Sequence, residues 1–276
     1  MQLLLGFLLA ILIAVLAYRA RSLNKSGAIA AAFTGTVIFG IGGWQWAILL
    51  LTFFITSSVL SRSFKKSKQG LNEKYSKGNQ RDAGQVFGNG GVATFFAMLY
   101  FFFPNEIWPW LGFAAALAAV NADTWATEIG VLNPNPPRMI TDLTKVVEKG
   151  TSGGISFIGT LASLAGAGLI GILAASLNPI PDPVSTGINT GVSTFIIVTL
   201  AGLAGALFDS FLGATVQAMY FCPADNKETE KHPLHTCGTP TTHIRGWKWL
   251  NNDWVNFACG AFGVITYLLI KGLFLS

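Results

Sequence analysis

Charged side chains are scarce in this chain: Asp, Glu, Lys and Arg make up 11% of its 276 residues, against 51% hydrophobic. Mean hydropathy is +0.52. So little charge excludes an ordinary solvated globule. Several apolar runs reach or approach the roughly 18 residues that span a bilayer. There are only three cysteines, Cys222, Cys237 and Cys259, which is too few for a disulfide framework. The opening run, Met1 to Leu16, lacks a basic start and a small-residue cleavage site, so it reads as a retained helix. The Gly-x-x-x-x-Gly-Lys-Ser/Thr phosphate loop is missing, and so is any nucleic-acid motif.

What is there reads as an all-α, polytopic membrane bundle, a single domain over 1–276. Eight spans are predicted, at about 1–18, 27–43, 45–60, 85–103, 108–130, 155–177, 190–213 and 254–275. The glycine-rich second and third look like a tight hairpin through Gly42-Gly43-Trp44. Trp44, Trp46, Trp108 and Trp110 fit interfacial aromatic belts. Alternating the loops puts seventeen of the 18 basic residues on one side and leaves only Lys271 on the other. By the positive-inside rule that side is cytoplasmic and both termini lie outside. The cytoplasmic loops are then 61–84, 131–154 and 214–253. The localisation expected is a multi-pass protein of a bacterial plasma or thylakoid membrane, with its site facing the cytoplasm.

The stretch Asn121-Ala-Asp-Thr-Trp-Ala-Thr-Glu-Ile-Gly130 closes a long apolar run. On a helix, Asn121, Thr124 and Glu128 form one polar stripe, with Asp123 and Thr127 beside it. A carboxylate near hydrocarbon costs on the order of 3 kcal/mol by insertion scales and so marks a function. The bland alternative is an Asp123 paired with a basic residue on a neighbouring helix. Gln85 and Asn89, Asp209 and Ser210, and Asn251-Asn-Asp-Trp-Val-Asn256 fall at the same depth on the same side. A polar site opening to the cytoplasm follows.

Two acids on different helices can share a hard cation. Mg²⁺ takes one or two carboxylates and fills its shell with water and substrate phosphates. Asp123 and Asp209 are the ligands of choice, with Glu128 and Asp253 as further candidates. The loop Thr141 to Gly154 adds Lys145, Lys149 and a run of small residues, Gly150, Thr151, Ser152, Gly153 and Gly154, before the sixth span. Backbone amides in such a loop, with a helix N-terminus behind it, suit phosphate. A plain flexible turn is the alternative. The basic run Arg62 to Arg81 reads mostly as a solvated loop, with Arg81 in reach of an anion. The stretch Cys222 to His243 lacks a Cys-x-x-Cys or His-x₃₋₅-His pair, which argues against zinc. It is expected to be a loop ordered by His235 and Thr239-Pro240 over the site.

These blocks, with Asp209-Ser-Phe-Leu-Gly-Ala214, His235-x-Cys-Gly-x-Pro240 and Asn252-Asp-x-Val-Asn256, resemble the phytyl-phosphate kinase family of the vitamin E pathway. A looser likeness reaches CTP-using membrane enzymes, the polyprenol and dolichol kinases and CDP-lipid synthases. Their Lys-x-x-Glu-Gly-Thr loop is echoed by Lys145-Val-Val-Glu148-Lys149-Gly150-Thr151, with Lys149 inserted. The resemblance implies phosphoryl transfer from a nucleoside triphosphate, CTP foremost, to an isoprenyl monophosphate such as phytyl phosphate, giving the diphosphate. Asp123, Lys145 and Asp209 would be catalytic. Arg81, Asn89, Asn121, Thr124, Glu128, Glu148, Lys149, Gly150 to Gly154, Ser210, Asn252, Asp253 and Asn256 would bind substrate or nucleotide. The partners are a prenyl-phosphate lipid, a nucleotide, Mg²⁺ and the bilayer. Rival readings are a CTP-dependent cytidylyltransferase and a transporter of a lipid or anion.

Overall fold

The computed structural model describes residues 1–64, 74, 77, 80–179 and 190–274. Lys65, Lys66 and Lys68 of the basic run lie outside the described residues. Among the described residues eight helices follow one another: α1 (Gln2–Arg19), α2 (Lys25–Val37), α3 (Trp44–Ser63), α4 (Ala83–Phe102), α5 (Trp108–Gly130), α6 (Phe157–Ser176), α7 (Thr190–Thr215) and α8 (Asn252–Phe274). A π-helical turn, Ile38–Gly42, extends α2. Among the described residues six helices are long and apolar enough to cross a membrane: α1, α2 with its π turn, α3, α6, α7 and α8. Helices α4 and α5 match predicted spans in length but carry too many small and polar residues to meet that standard.

Side-chain contacts fix the directions. Trp110 Nε1 donates to the Ala174 carbonyl at 3.2 Å and Asn121 Nδ2 to that of Gly166 at 2.8 Å, so α5 and α6 are antiparallel. Thr56 meets Asn121 at 3.3 Å and Ser61 meets Glu128 at 2.7 Å, so α3 and α5 are parallel. Odd-numbered helices thus end where even-numbered ones begin.

At that end the even helices are capped by side chains. Asn24 accepts from the Gly27 amide on α2 at 2.9 Å, and Ser156 from that of Gly159 on α6 at 3.1 Å. Asp82 opens α4 with a reciprocal box to Gln85. Asn251 accepts from the Asp253 amide of α8 at 3.0 Å.

Helix α5 is the axle of the bundle. Its side chains from Pro109 to Ala122 are all buried. Alanines along it let neighbours come close: a Cβ on Gly205 of α7 would sit 2.5 Å from the Ala119 Cβ, and one on Gly263 of α8 2.9 Å from it. Small residues at interfaces are the usual route to tight packing where lipid gives helices no hydrophobic reason to associate. Trp46 and Trp110 correct the belt expectation. Both are fully buried with ring centroids 5.2 Å apart, because α5 lies inside the bundle, whereas Trp44 is exposed.

The all-α expectation is corrected in the loops. Segment 131–154 and the residue after it form the strands β1 (Arg138–Met139), β2 (Asp142–Val146) and β3 (Gly154–Ile155), an antiparallel sheet in the order β2-β1-β3. Segment 214–253 holds β4 (Met219–Cys222), β5 (Lys227–Thr229) and β6 (Thr242–Arg245), in the order β5-β4-β6. Met219, Tyr220 and Cys222 of β4 are buried. Long inter-helix segments that pack against the bundle must pair their backbone groups, and a short antiparallel sheet does so locally.

Candidate functional site

A cavity of about 630 Å³ opens among the C-terminal ends of α3, α5 and α7, the N-terminal ends of α4, α6 and α8, and the loop preceding α6. Helix α5 contributes Asp123, Thr124 and Glu128, and α7 contributes Asp209 and Ser210. Asp209 Oδ2 is buried and has no hydrogen-bond partner among the described residues. The charges of Asp123 and Glu230 act on it. Glu128 accepts a hydrogen bond from Ser61 and feels the charge of Arg81.

The glycine-rich loop forms another wall, through Lys149, Gly150, Thr151, Ser152, Gly153 and Gly154. Lys149 Nζ donates to the Val131 carbonyl at 2.9 Å. Gly153 has a φ of +84°, and a Cβ there would meet the Ala214 backbone nitrogen at 2.6 Å. Only glycine combines that left-handed backbone with so close an approach to the end of α7.

Cationic groups line the same cavity. Arg81 donates to Ser58 Oγ at 3.2 Å and sits 5.8 Å and 5.6 Å from the Phe53 and Phe54 rings. Burial pushes its pKa down to about 10, with Glu128 opposing the shift, so it stays cationic at neutral pH. Arg62 donates to Ser22 Oγ at 2.7 Å and to the Ala20 carbonyl. Asn89, Asn252 and Asn256 also line the cavity.

Four predicted site residues stand apart from the lining. Asn121 is fully buried and joins α5 to α3 and α6 through Thr56 and Gly166. Lys145 projects from β2, whose residues are all exposed. Glu148 is exposed and pairs with Lys74 at 2.8 Å, a hydrogen bond that holds its carboxyl below the usual range. Asp253 is paired with Lys77, which also bonds Asp82 at 2.8 Å. Burial works against the Lys77 charge, but the bonds to Asp253 and Asp82 outweigh it and raise its pKa.

Sequence reasoning missed Glu230, Arg62 and Lys77, all of which line the cavity. Glu230 accepts from Ser152 Oγ at 3.0 Å and Gln217 Nε2 at 2.9 Å. It lies on a loop with no helical period to point it inward. Arg62 and Lys77 were hidden in a basic run that topology alone explains.

A second, apolar slot of about 80 Å³ lies among α1, α2, α3 and α4, walled by Ala14, Ala31, Leu50 and Phe53. It meets the polar cavity at Arg81, Gln85 and Asn89, which line both. An anionic headgroup on an apolar tail fits such a junction of wet and dry chambers.

Among the described residues, eight long helices, six of them apolar enough to cross a bilayer, gathered round one polar chamber at one end of the bundle, define an integral membrane protein. The sequence profile described as "Integral membrane protein DUF92" matches residues 8–264, and the chain belongs to that family. It is 33% identical over 272 residues to Protein PGR of Arabidopsis thaliana, covering 93% of this chain and 91% of that one. An uncharacterised membrane protein of Methanocaldococcus jannaschii is 33% identical over 216 residues, covering 77% and 82%. Protein VTE6, chloroplastic, of Arabidopsis thaliana is 25% identical over 261 residues, covering 92% and 67%. These relatives agree with the resemblance to the vitamin E pathway family. No solved structure matches the chain.

Proposed function

We propose that the protein is a membrane kinase that moves the γ-phosphoryl group of a nucleoside triphosphate, CTP foremost, onto an isoprenyl monophosphate such as phytyl phosphate. The observation that carries this reading is the junction at Arg81 and Asn89, where the apolar slot enters the polar cavity. The first isoprene unit of a prenyl tail, which is what about 80 Å³ holds, would enter the slot with the rest running out of it, its phosphate at Arg81, and the nucleotide phosphates along Lys149 to Gly154 ahead of the α6 N-terminus. The likeness to VTE6 and to the phytyl-phosphate kinase family favours this over other lipid phosphates.

The nucleophile is already an anion, so no strong base is needed. One acceptor phosphate oxygen attacks the γ-phosphorus, the bond to the β–γ bridging oxygen breaks, and prenyl diphosphate and nucleoside diphosphate leave. The work of the chain is alignment and charge neutralisation. Arg81 and Asn89 would hold the acceptor, Lys149 and the loop amides the donor, and Asn252 and Asn256 would orient the phosphates. The all-oxygen set of Asp123, Asp209, Thr124 and Ser210, with its orphaned buried Asp209 oxygen, fits Mg²⁺. Bound there, Mg²⁺ would neutralise the phosphate oxygens. We place the site at the cytoplasmic face, with all eight helices crossing and both termini outside, on the segregation of Lys and Arg.

Purified protein incubated with Mg²⁺, phytyl, geranylgeranyl or farnesyl monophosphate, and each of the four ribonucleoside triphosphates tests the reading. Prenyl diphosphate and nucleoside diphosphate are expected. Release of pyrophosphate would instead support the cytidylyltransferase, and uptake into proteoliposomes without chemical change the transporter.

A further inference from the structure

The β4–β6 sheet carries a cluster of side chains that the cavity does not use. The thiols of Cys222 and Cys237, the Asp225 carboxylate and the His235 imidazole bring one donor atom each to within 4.8 Å of one another. We propose that Cys222, Asp225, His235 and Cys237 form a structural zinc site that locks this sheet.

The distances suit a tetrahedral ion. With Zn–S bonds of about 2.3 Å and Zn–N bonds of about 2.0 Å, two sulfurs should stand about 3.7 Å apart and sulfur and nitrogen about 3.5 Å. The two sulfurs are 3.5 Å apart, and Cys237 Sγ is 3.4 Å from His235 Nδ1. Cys222 Sγ lies 3.8 Å from Asp225 Oδ2. Asp225 Oδ2 and His235 Nδ1, at 2.7 Å, form the short edge, which opens by under an ångström on coordination.

The backbone presents the donors as two knuckles. Cys222 ends β4, and the chain reverses through the turn 223–226, which holds Asp225 beside Cys222 and closes at Asn226, at φ +50°. The second turn is closed by the His235 amide on the Thr239 carbonyl and the Gly238 amide on that of His235, both at 2.9 Å, with Gly238 at φ +84°. The motif is therefore Cys-x-x-Asp with His-x-Cys. An aspartate stands where a second cysteine is usual, which is why spacing rules for zinc pass it over.

All four positions of the shell are filled by protein, and Cys222 and His235 are buried. That is the closed arrangement of a structural ion, not a catalytic one. None of the four lines the cavity. The neighbouring β5 ends at Thr229, and Glu230 directly after it does line it. The ion would hold the hairpin that delivers Glu230. This holds whatever the substrate.

The test uses the full chain, purified without an affinity tag under reducing conditions from zinc-supplemented cells. Elemental analysis should find about one zinc per chain. Exchange with Co²⁺ should give the sulfur-to-cobalt charge-transfer band and the visible bands of a tetrahedral site. Cys259→Ser, in α8, should keep both signatures, and Cys222→Ser with Cys237→Ser should lose them. Because the double variant can misfold, Asp225→Cys gives the positive arm: a third thiolate should raise the charge-transfer intensity by about half and slow chelator removal. Chelation should speed proteolysis between residues 222 and 243 severalfold. A metal-free wild-type chain that gives no cobalt band, or a native Cys222–Cys237 disulfide, would overturn the proposal.

Discussion

Ser152 of the glycine-rich loop donates a hydrogen bond to Glu230, 3.0 Å away, across a gap of 78 residues in sequence. This bond joins the two sheet-bearing segments over the mouth of one cavity. Two loops that look independent in sequence are one wall.

The acids are the first target. Asp123→Asn or Asp209→Asn should cut prenyl diphosphate formation by on the order of a hundredfold or more, with the chain still folded and inserted. Product mass spectrometry beside a thermal-shift assay in detergent reads both. Wild-type turnover in either variant would sink the metal assignment.

The two lysines should separate. Lys145 stands on an exposed strand, so Lys145→Ala is expected to stay within about twofold of wild type. Lys149→Ala should lose about tenfold or more, mostly as a raised KM for nucleotide. Equal losses would return Lys145 to the site by a loop movement.

The slot should sense the first isoprene unit of the tail. Gly90 lines it, and a Cβ there meets nothing within 4 Å. Gly90→Leu should raise KM for prenyl phosphates of every length by a similar factor and leave KM for the nucleotide unchanged, while the helix gains about 0.5–1 kcal/mol over glycine. An unchanged KM for the prenyl phosphate would place the tail elsewhere.

Gly153→Ala should destabilise by about 1–3 kcal/mol, since it forces a side chain onto a left-handed backbone against Ala214. A fall in melting temperature together with loss of turnover is expected. An unchanged melting temperature would show that the loop can move off α7.

Asp82 gives a pH signature. Burial works to raise its pKa, but the bonds from Lys77 and the Gln85 amide outweigh it, so the carboxyl ionises below its ordinary 3.8. A depressed carboxylate contributes stability above its unfolded value and loses it as pH falls through its folded one. Asp82→Ala should therefore cost about 1 kcal/mol at pH 7. The gap to wild type should close as the pH drops below about 4, read by unfolding at a series of pH values.

Much of this was legible beforehand because two physical signals are strong in lipid. Apolar runs marked helix ends to within three residues, as Ala83–Phe102 against 85–103 illustrates. The cost of an acid in hydrocarbon pointed to Asp123 and Asp209, which do share a cavity. What could not be read was tertiary. The sequence alone does not tell that Lys77 neutralises Asp253, or that Asn121 spends its amide on Gly166. Strands of two to five residues leave too short an alternation to detect, so Glu230 went unseen.

The sheathing of α5 has a consequence for how the protein is made. This helix falls short of the six that could cross a bilayer by composition, yet its middle is wrapped by other helices on every side. A nascent chain ending after α5 would present the translocon with a segment too weak to leave for lipid alone. On the proposed eight-span topology its entry would wait for α6, α7 and α8, so the part of the sequence that bears Asp123 would be held in trust by residues not yet synthesised.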